Sequence, residues 1–101
     1  MSEPIRCFLV EPDPDGGYRR ADDHSQIRGT QSEFGAGACW KDGELVKVIL
    51  PKTGLFCPQR KSADGQPWEC TGEVPNITVK PSVDDPGVWH GWITDGVITE
   101  C

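Results

Sequence analysis

The sequence predicts a mostly β protein, a small antiparallel sandwich or partly open barrel with little helix that ends in a C-terminal β-hairpin. Three observations carry this expectation. Short runs rich in Val, Ile and aromatic residues recur along the chain, glycine- and proline-rich turns separate them, and no long segment shows a clear 3.6-residue period. A length of 101 residues without an internal repeat fits one domain over residues 1–101.

The elements follow in order. IRCFLV (5–10) reads as a first strand, stopped by EPDPDGG with its two prolines and two glycines. YRRADDHSQIRGTQS (18–32) carries few apolar residues and neither period, so it reads as a long surface loop with room for one helical turn after Arg19. FGAGACW (34–40) sets small residues between two aromatics, the pattern of a backbone passing close to another element. In KDGELVKVIL (41–50), Asp42-Gly43 marks a turn and residues 45–50 a strand, stopped at Pro51 and followed by a short strand in TGLFC (53–57). CPQRKSADGQPWEC (57–70) reads as a polar loop bracketed by cysteines. NITVKPSV (76–83) alternates like a strand, and Pro81 either confines it to an edge or ends it early. DDPG (84–87) reads as a turn.

The last segment, WHGWITDGVITEC (89–101), contains the strongest local signal. With Asp95-Gly96 as the two loop residues of a type I′ turn, Thr94 pairs with Val97, Ile93 with Ile98, Trp92 with Thr99, Gly91 with Glu100 and His90 with Cys101. Side chains alternate, so His90, Trp92, Thr94, Val97, Thr99 and Cys101 share one face while Trp89, Ile93, Ile98 and Glu100 share the other. Trp89 and Trp92 therefore divide between core and surface, and both are candidate binding residues in a partner-binding patch beside Gly91.

His90 and Cys101 face each other at a separation from which both can reach one ion, and a structural zinc site needs two further ligands. Cys57 and Cys70, at the two ends of the polar loop, complete the candidate set Cys57, Cys70, His90 and Cys101, although their spacing is wider than a zinc knuckle's. The competing reading is a histidine hydrogen-bonded beside Trp92 and a cysteine that is an ordinary exposed residue. Cys7 and Cys39 read as core thiols and His24 as a solvated alternative to His90.

A net charge of −6 opposes the phosphate neutralisation on which nucleic-acid binding rests, so direct binding to nucleic acid is not expected. No signal-peptide-like run and no membrane-length apolar segment occurs, which predicts no membrane partner and a cytoplasmic location. No phosphate loop, HExxH helix or GxSxG elbow is present, so catalysis is the lesser expectation.

Tyr18-Arg19-Arg20, FGAGACW, WECTGEVPNITVKPSV and WHGWITDGVI, in this order, resemble segments of small uncharacterised proteins of tailed bacteriophages and prophages. Residues 57–101 are also similar to a broader domain-of-unknown-function family whose members carry a Cys-Pro start, a Pro-Ser step and a His followed by an aspartate-glycine hairpin, and in which Cys and His residues near the start and in the last hairpin look like metal ligands. That resemblance implies ligand roles for Cys57, His90 and Cys101, and a departure where Pro58-Gln59-Arg60 replace a second nearby cysteine. The resulting expectation is a phage or prophage accessory protein of the bacterial cytoplasm that acts by contact with a phage or host protein, with a structural zinc ion. The alternatives are a metal-dependent or thiol hydrolase centred on His90, and an acidic decoy that binds a host nucleic-acid-handling protein.

Overall fold

Alternation along the strands sorts the apolar residues into two sets, and the fold follows from where each set is buried. The structure is a computed structural model that describes residues 3–60 and 68–101. The strands are β1 (Ile5–Arg6), β2 (Phe8–Pro12), β3 (Tyr18–Arg20), β4 (Gln26–Ile27), β5 (Ala38–Asp42), β6 (Leu45–Leu50), β7 (Gly54–Phe56), β8 (Glu69–Thr71), β9 (Thr78–Asp85), β10 (Trp89–Thr94) and β11 (Val97–Glu100). They form a five-stranded sheet in the order β1-β11-β10-β9-β8 and a six-stranded sheet in the order β4-β3-β2-β5-β6-β7. All pairings are antiparallel except that of β2 with β5. Among the described residues neither sheet closes on itself, so of the two predicted architectures the sandwich is the one observed.

The main core lies between the sheets. Val46, Val48, Leu50 and Cys39 from the six-stranded sheet meet Val79, Val83, Trp89, Ile93 and Ile98 from the five-stranded one. A smaller cluster, Val10, Phe34, Ala38, Trp40 and Ile49, occupies the other face of the six-stranded sheet. The period of two is visible in β6, where Val46, Val48 and Leu50 enter the main core and Ile49 enters the second. Phe34 follows a single 3-10 turn, Gln31–Glu33, and packs edge-on against Trp40 with ring centroids 5.4 Å apart.

Several sequence expectations need correction. The predicted first strand is divided at Cys7, with β1 joining β11 in one sheet and β2 joining β5 in the other. The Cys7 N–H donates to Gly96 O at 2.7 Å and the Phe8 N–H to Gly37 O at 2.9 Å, so adjacent residues bond to different sheets. The segment 18–32, expected as a loop with a helical turn after Arg19, supplies β3 and β4 instead. Its strands are polar, and ion pairing substitutes for apolar alternation: Arg19 Nε meets Glu11 Oε2 across the ladder at 2.6 Å, and the Arg20 guanidinium lies 4.0 Å from the centre of the Phe8 ring. The polar loop expected over 57–70 also ends early, because Glu69 and Cys70 already belong to β8; its residues 61–67 lie outside the described part.

The close backbone approach read from FGAGACW is observed at Gly37. Its φ is +98°, and a Cβ there would lie 3.0 Å from Ile5 Cγ2 and 3.1 Å from Arg6 O.

Candidate functional site

The outer face of the five-stranded sheet carries the site, and β9 and β10 build it. The hairpin of β10 and β11 has the register read from the sequence, Thr94 with Val97 through Gly91 with Glu100, around Asp95 and Gly96 at φ +47° and +75°. Cys101 N–H donates to His90 O at 2.9 Å, which brings these two residues opposite each other. Burial alternates along β10 as predicted: Trp89, Gly91 and Ile93 face the core, while His90, Trp92 and Thr94 face solvent. Trp89 is thus a core residue, and Trp92, 42% exposed, is the tryptophan of this pair that a partner can reach.

Strand β9 continues through Pro81 rather than ending there, and it is an interior strand between β8 and β10. The physical reason is a register shift. Val83 pairs with Gly91 and Val79 with Ile93, so Lys80, Pro81 and Ser82 together oppose the single residue Trp92. A bulge tolerates a residue that has no N–H to give to the ladder, and it re-aims the side chains beside it. The turn expected at 84–87 moves with it, since Asp84 pairs with His90 and Asp85 with Trp89 before the chain reverses.

At the bulge the half-buried Ser82 shares the outer face with the exposed His90, and Ser82 Oγ lies 3.0 Å from His90 Nε2. The backbone behind the serine is held from the core side, where Trp68 Nε1 donates to Ser82 O at 3.3 Å and Trp68 packs edge-on against Phe56 at 5.0 Å. The His90 ring lies 5.8 Å from the Trp92 ring, tilted by 36°. Asp84 stands directly across from His90 in the β9–β10 register. Its neighbour Asp85 accepts a hydrogen bond from Thr53 Oγ1 at 3.1 Å.

Two hollows flank this pair. A groove of about 720 Å³ is walled by Pro81, Ser82 and Trp92, with the charged Glu69 and Lys80 also in its lining. A smaller hollow of about 300 Å³ has His90 in its wall with Asp84, Asp85, Glu100 and Cys101. Ser82 lines the first and His90 the second.

The four candidate zinc ligands separate into two places. His90 and Cys101 are on the exposed hairpin, whereas Cys57 is buried, with its Sγ 3.6 Å from Gln59 Oε1, and Cys70 packs against the main core. Among the described residues no group of three or more His, Cys, Asp or Glu side chains is placed to hold a metal ion. Cys7 and Cys39 are core thiols as read, and burial pushes them up to about 11 and about 12 respectively. Burial, and then the neighbouring Cys57, also raises Cys70. His24 lies in the turn between β3 and β4, exposed, with its N–H donating to Arg20 O at 3.0 Å.

The residue that sequence reasoning missed is Ser82. The signal that could have found it is the Pro-Ser step, Pro81-Ser82; the regular Asp84–His90 and Val83–Gly91 pairing then sets Ser82 on the face of His90, diagonally across the ladder.

The family model described as "bacterial ubiquitination-like system serine protease (BubE)" matches residues 38–101, the stretch from β5 through β11 that contains Ser82 and His90. The chain belongs to the BubE family. No match is found among curated proteins or solved structures. In this BubE-family chain the strands β1 to β4 precede the matched stretch, and no helix among the described residues is long and apolar enough to cross a membrane.

Proposed function

We propose that this protein is a serine protease in which Ser82 is the nucleophile and His90 the general base. The observation that carries the reading is the 3.0 Å approach of Ser82 Oγ to His90 Nε2 on an open face beside a groove. A serine hydroxyl is a weak nucleophile until a neighbouring base takes its proton, and this distance is within hydrogen-bond reach. The family description, a serine protease of a bacterial ubiquitination-like system, supports a peptide bond as the target. The expected hydrolase centred on His90 is retained in this reading, with a serine hydroxyl in place of a thiol or a metal-bound water.

The chemistry proceeds in two halves. With its proton on Nδ1, the neutral imidazole accepts the Ser82 proton at Nε2 while Oγ bonds to the substrate carbonyl carbon. The tetrahedral intermediate collapses, the C–N bond breaks, and His90 gives the proton to the leaving amine. A water molecule then attacks the acyl-serine ester, again losing its proton to His90, and Ser82 leaves with a proton as the carboxylic acid is released.

A fluorophosphonate probe and mass spectrometry test this. The wild-type chain is expected to be labelled at Ser82, with labelling and ester hydrolysis abolished in Ser82→Ala and reduced by about a hundredfold or more in His90→Ala. Hydrolysis that persists in a folded Ser82→Ala variant would overturn the assignment.

A further inference from the structure

Resting on the Ser82–His90 reading, we propose that the groove between Pro81 and Trp92 is the acyl-side specificity pocket. It seats the aromatic or long aliphatic side chain of the residue whose carbonyl Ser82 attacks.

The direction of the substrate follows from the two hollows. After the C–N bond breaks, the leaving nitrogen must take its proton from His90 Nε2, so the leaving half lies on the side of the histidine. His90 lines the smaller hollow and Ser82 does not, whereas Ser82 lines the larger groove and His90 does not. The acyl half therefore falls on the groove side, next to the carbonyl bonded to Oγ.

The side-chain class follows from the wall. Trp92 is the large exposed aromatic of this face and the exposed Pro81 adds apolar surface beside it, while the charged Glu69 and Lys80 stand in the same wall. Thr78 Oγ1 is already engaged, accepting from the Asp95 N–H at 2.9 Å. An indole face attracts another aromatic ring or a long aliphatic chain, and a groove of about 720 Å³ admits such a side chain together with the backbone that carries it. Glycine would leave the Trp92 surface in water.

The test uses the full chain and the methyl esters of N-acetyl-phenylalanine, N-acetyl-leucine and N-acetyl-glycine. The phenylalanine and leucine esters are expected to exceed the glycine ester in kcat/KM by about tenfold or more, and Trp92→Ala to collapse that ratio. A second readout does not depend on turnover. In ¹⁵N-labelled Ser82→Ala protein, N-acetyl-phenylalaninamide is expected to shift the Trp92 indole N–H resonance, identified by its loss in Trp92→Phe, and N-acetyl-glycinamide to leave it in place. Ser82-dependent hydrolysis without side-chain preference, or a ratio unchanged in folded Trp92→Ala, would overturn the pocket and leave the serine mechanism standing. An indole shift in a chain that hydrolyses none of the esters would uphold the pocket and remove the mechanism.

Discussion

Trp89 lies over Gly91 on the same face of one strand, so that a Cβ added at position 91 would fall 2.6 Å from the far edge of the indole and collide with the Thr99 carbonyl oxygen of the neighbouring strand. Both are in the main core's sheet, and Trp89 is only 4% exposed. The obstacle at Thr99 is backbone, which cannot rotate away. Gly91→Ala is expected to destabilise the fold by about 1–3 kcal/mol, the cost of overpacking a tight interior, seen as a lowered denaturation midpoint. An unchanged midpoint would mean that β10 and β11 separate more easily than the geometry indicates.

Ile93 pairs with Ile98 across the final hairpin and both are almost fully buried. Ile93→Ala removes buried methyl groups where both sheets converge, and a loss of about 2–5 kcal/mol is expected in chemical denaturation. Thr99→Ala, on the solvent face of the same hairpin, serves as the contrasting variant and is expected to change stability by no more than about 0.5 kcal/mol.

Asp84 is the residue paired with His90 in the β9–β10 register, and under the proposed mechanism its carboxylate is expected to position the imidazole. Asp84→Asn is expected to lower kcat by about tenfold with little change in KM, and Asp84→Glu to recover part of the loss. Equal kinetics for wild type and Asp84→Asn would leave Ser82 and His90 as a pair without an orienting acid.

The Cys101 contact with His90 runs through its backbone N–H, so its thiol is not required for the proposed chemistry. Cys101→Ser is expected to retain ester hydrolysis, and elemental analysis to give the same metal content as the wild type. Stoichiometric zinc that disappears in this variant would support the expected Cys57, Cys70, His90 and Cys101 site.

Thiol reactivity should follow burial. Cys101 is exposed and is expected to react first with a disulfide reagent at neutral pH, while Cys7 and Cys39 react only after unfolding. The same two thiols set a stability trend in alkali. The unfolded chain releases their protons near 9.0, whereas burial holds them to about 11 in Cys7 and about 12 in Cys39. The folded state then binds more protons than the unfolded one, so this contribution is intact below pH 9 and declines as pH rises through about 11 to 12. Cys39→Ala is expected to flatten that decline in a denaturation series across this range.

The sequence by itself determined the elements whose signals are local. Asp95-Gly96 set the register of the last hairpin, because a two-residue turn with positive φ leaves one pairing open to the strands it joins. Alternation then divided Trp89 from Trp92 and put His90 in solvent. The polar strands β3 and β4 were not legible, since β3 is tied to β2 by the Arg19–Glu11 ion pair and neither strand carries a period of apolar residues.

Only the tertiary structure decided which residue meets His90. Sequence spacing pointed to Cys57, Cys70 and Cys101, yet the first two are drawn toward the core and the last faces the histidine by its backbone. Ser82 reaches it because Asp84–His90 and Val83–Gly91 pair in regular register with Val83 turned into the core, which sets Ser82 on the outer face beside His90 just before three residues of β9 span the place of one on β10. A bulge is a compromise between two strands and the layer beneath them, so neither strand's sequence encodes it alone.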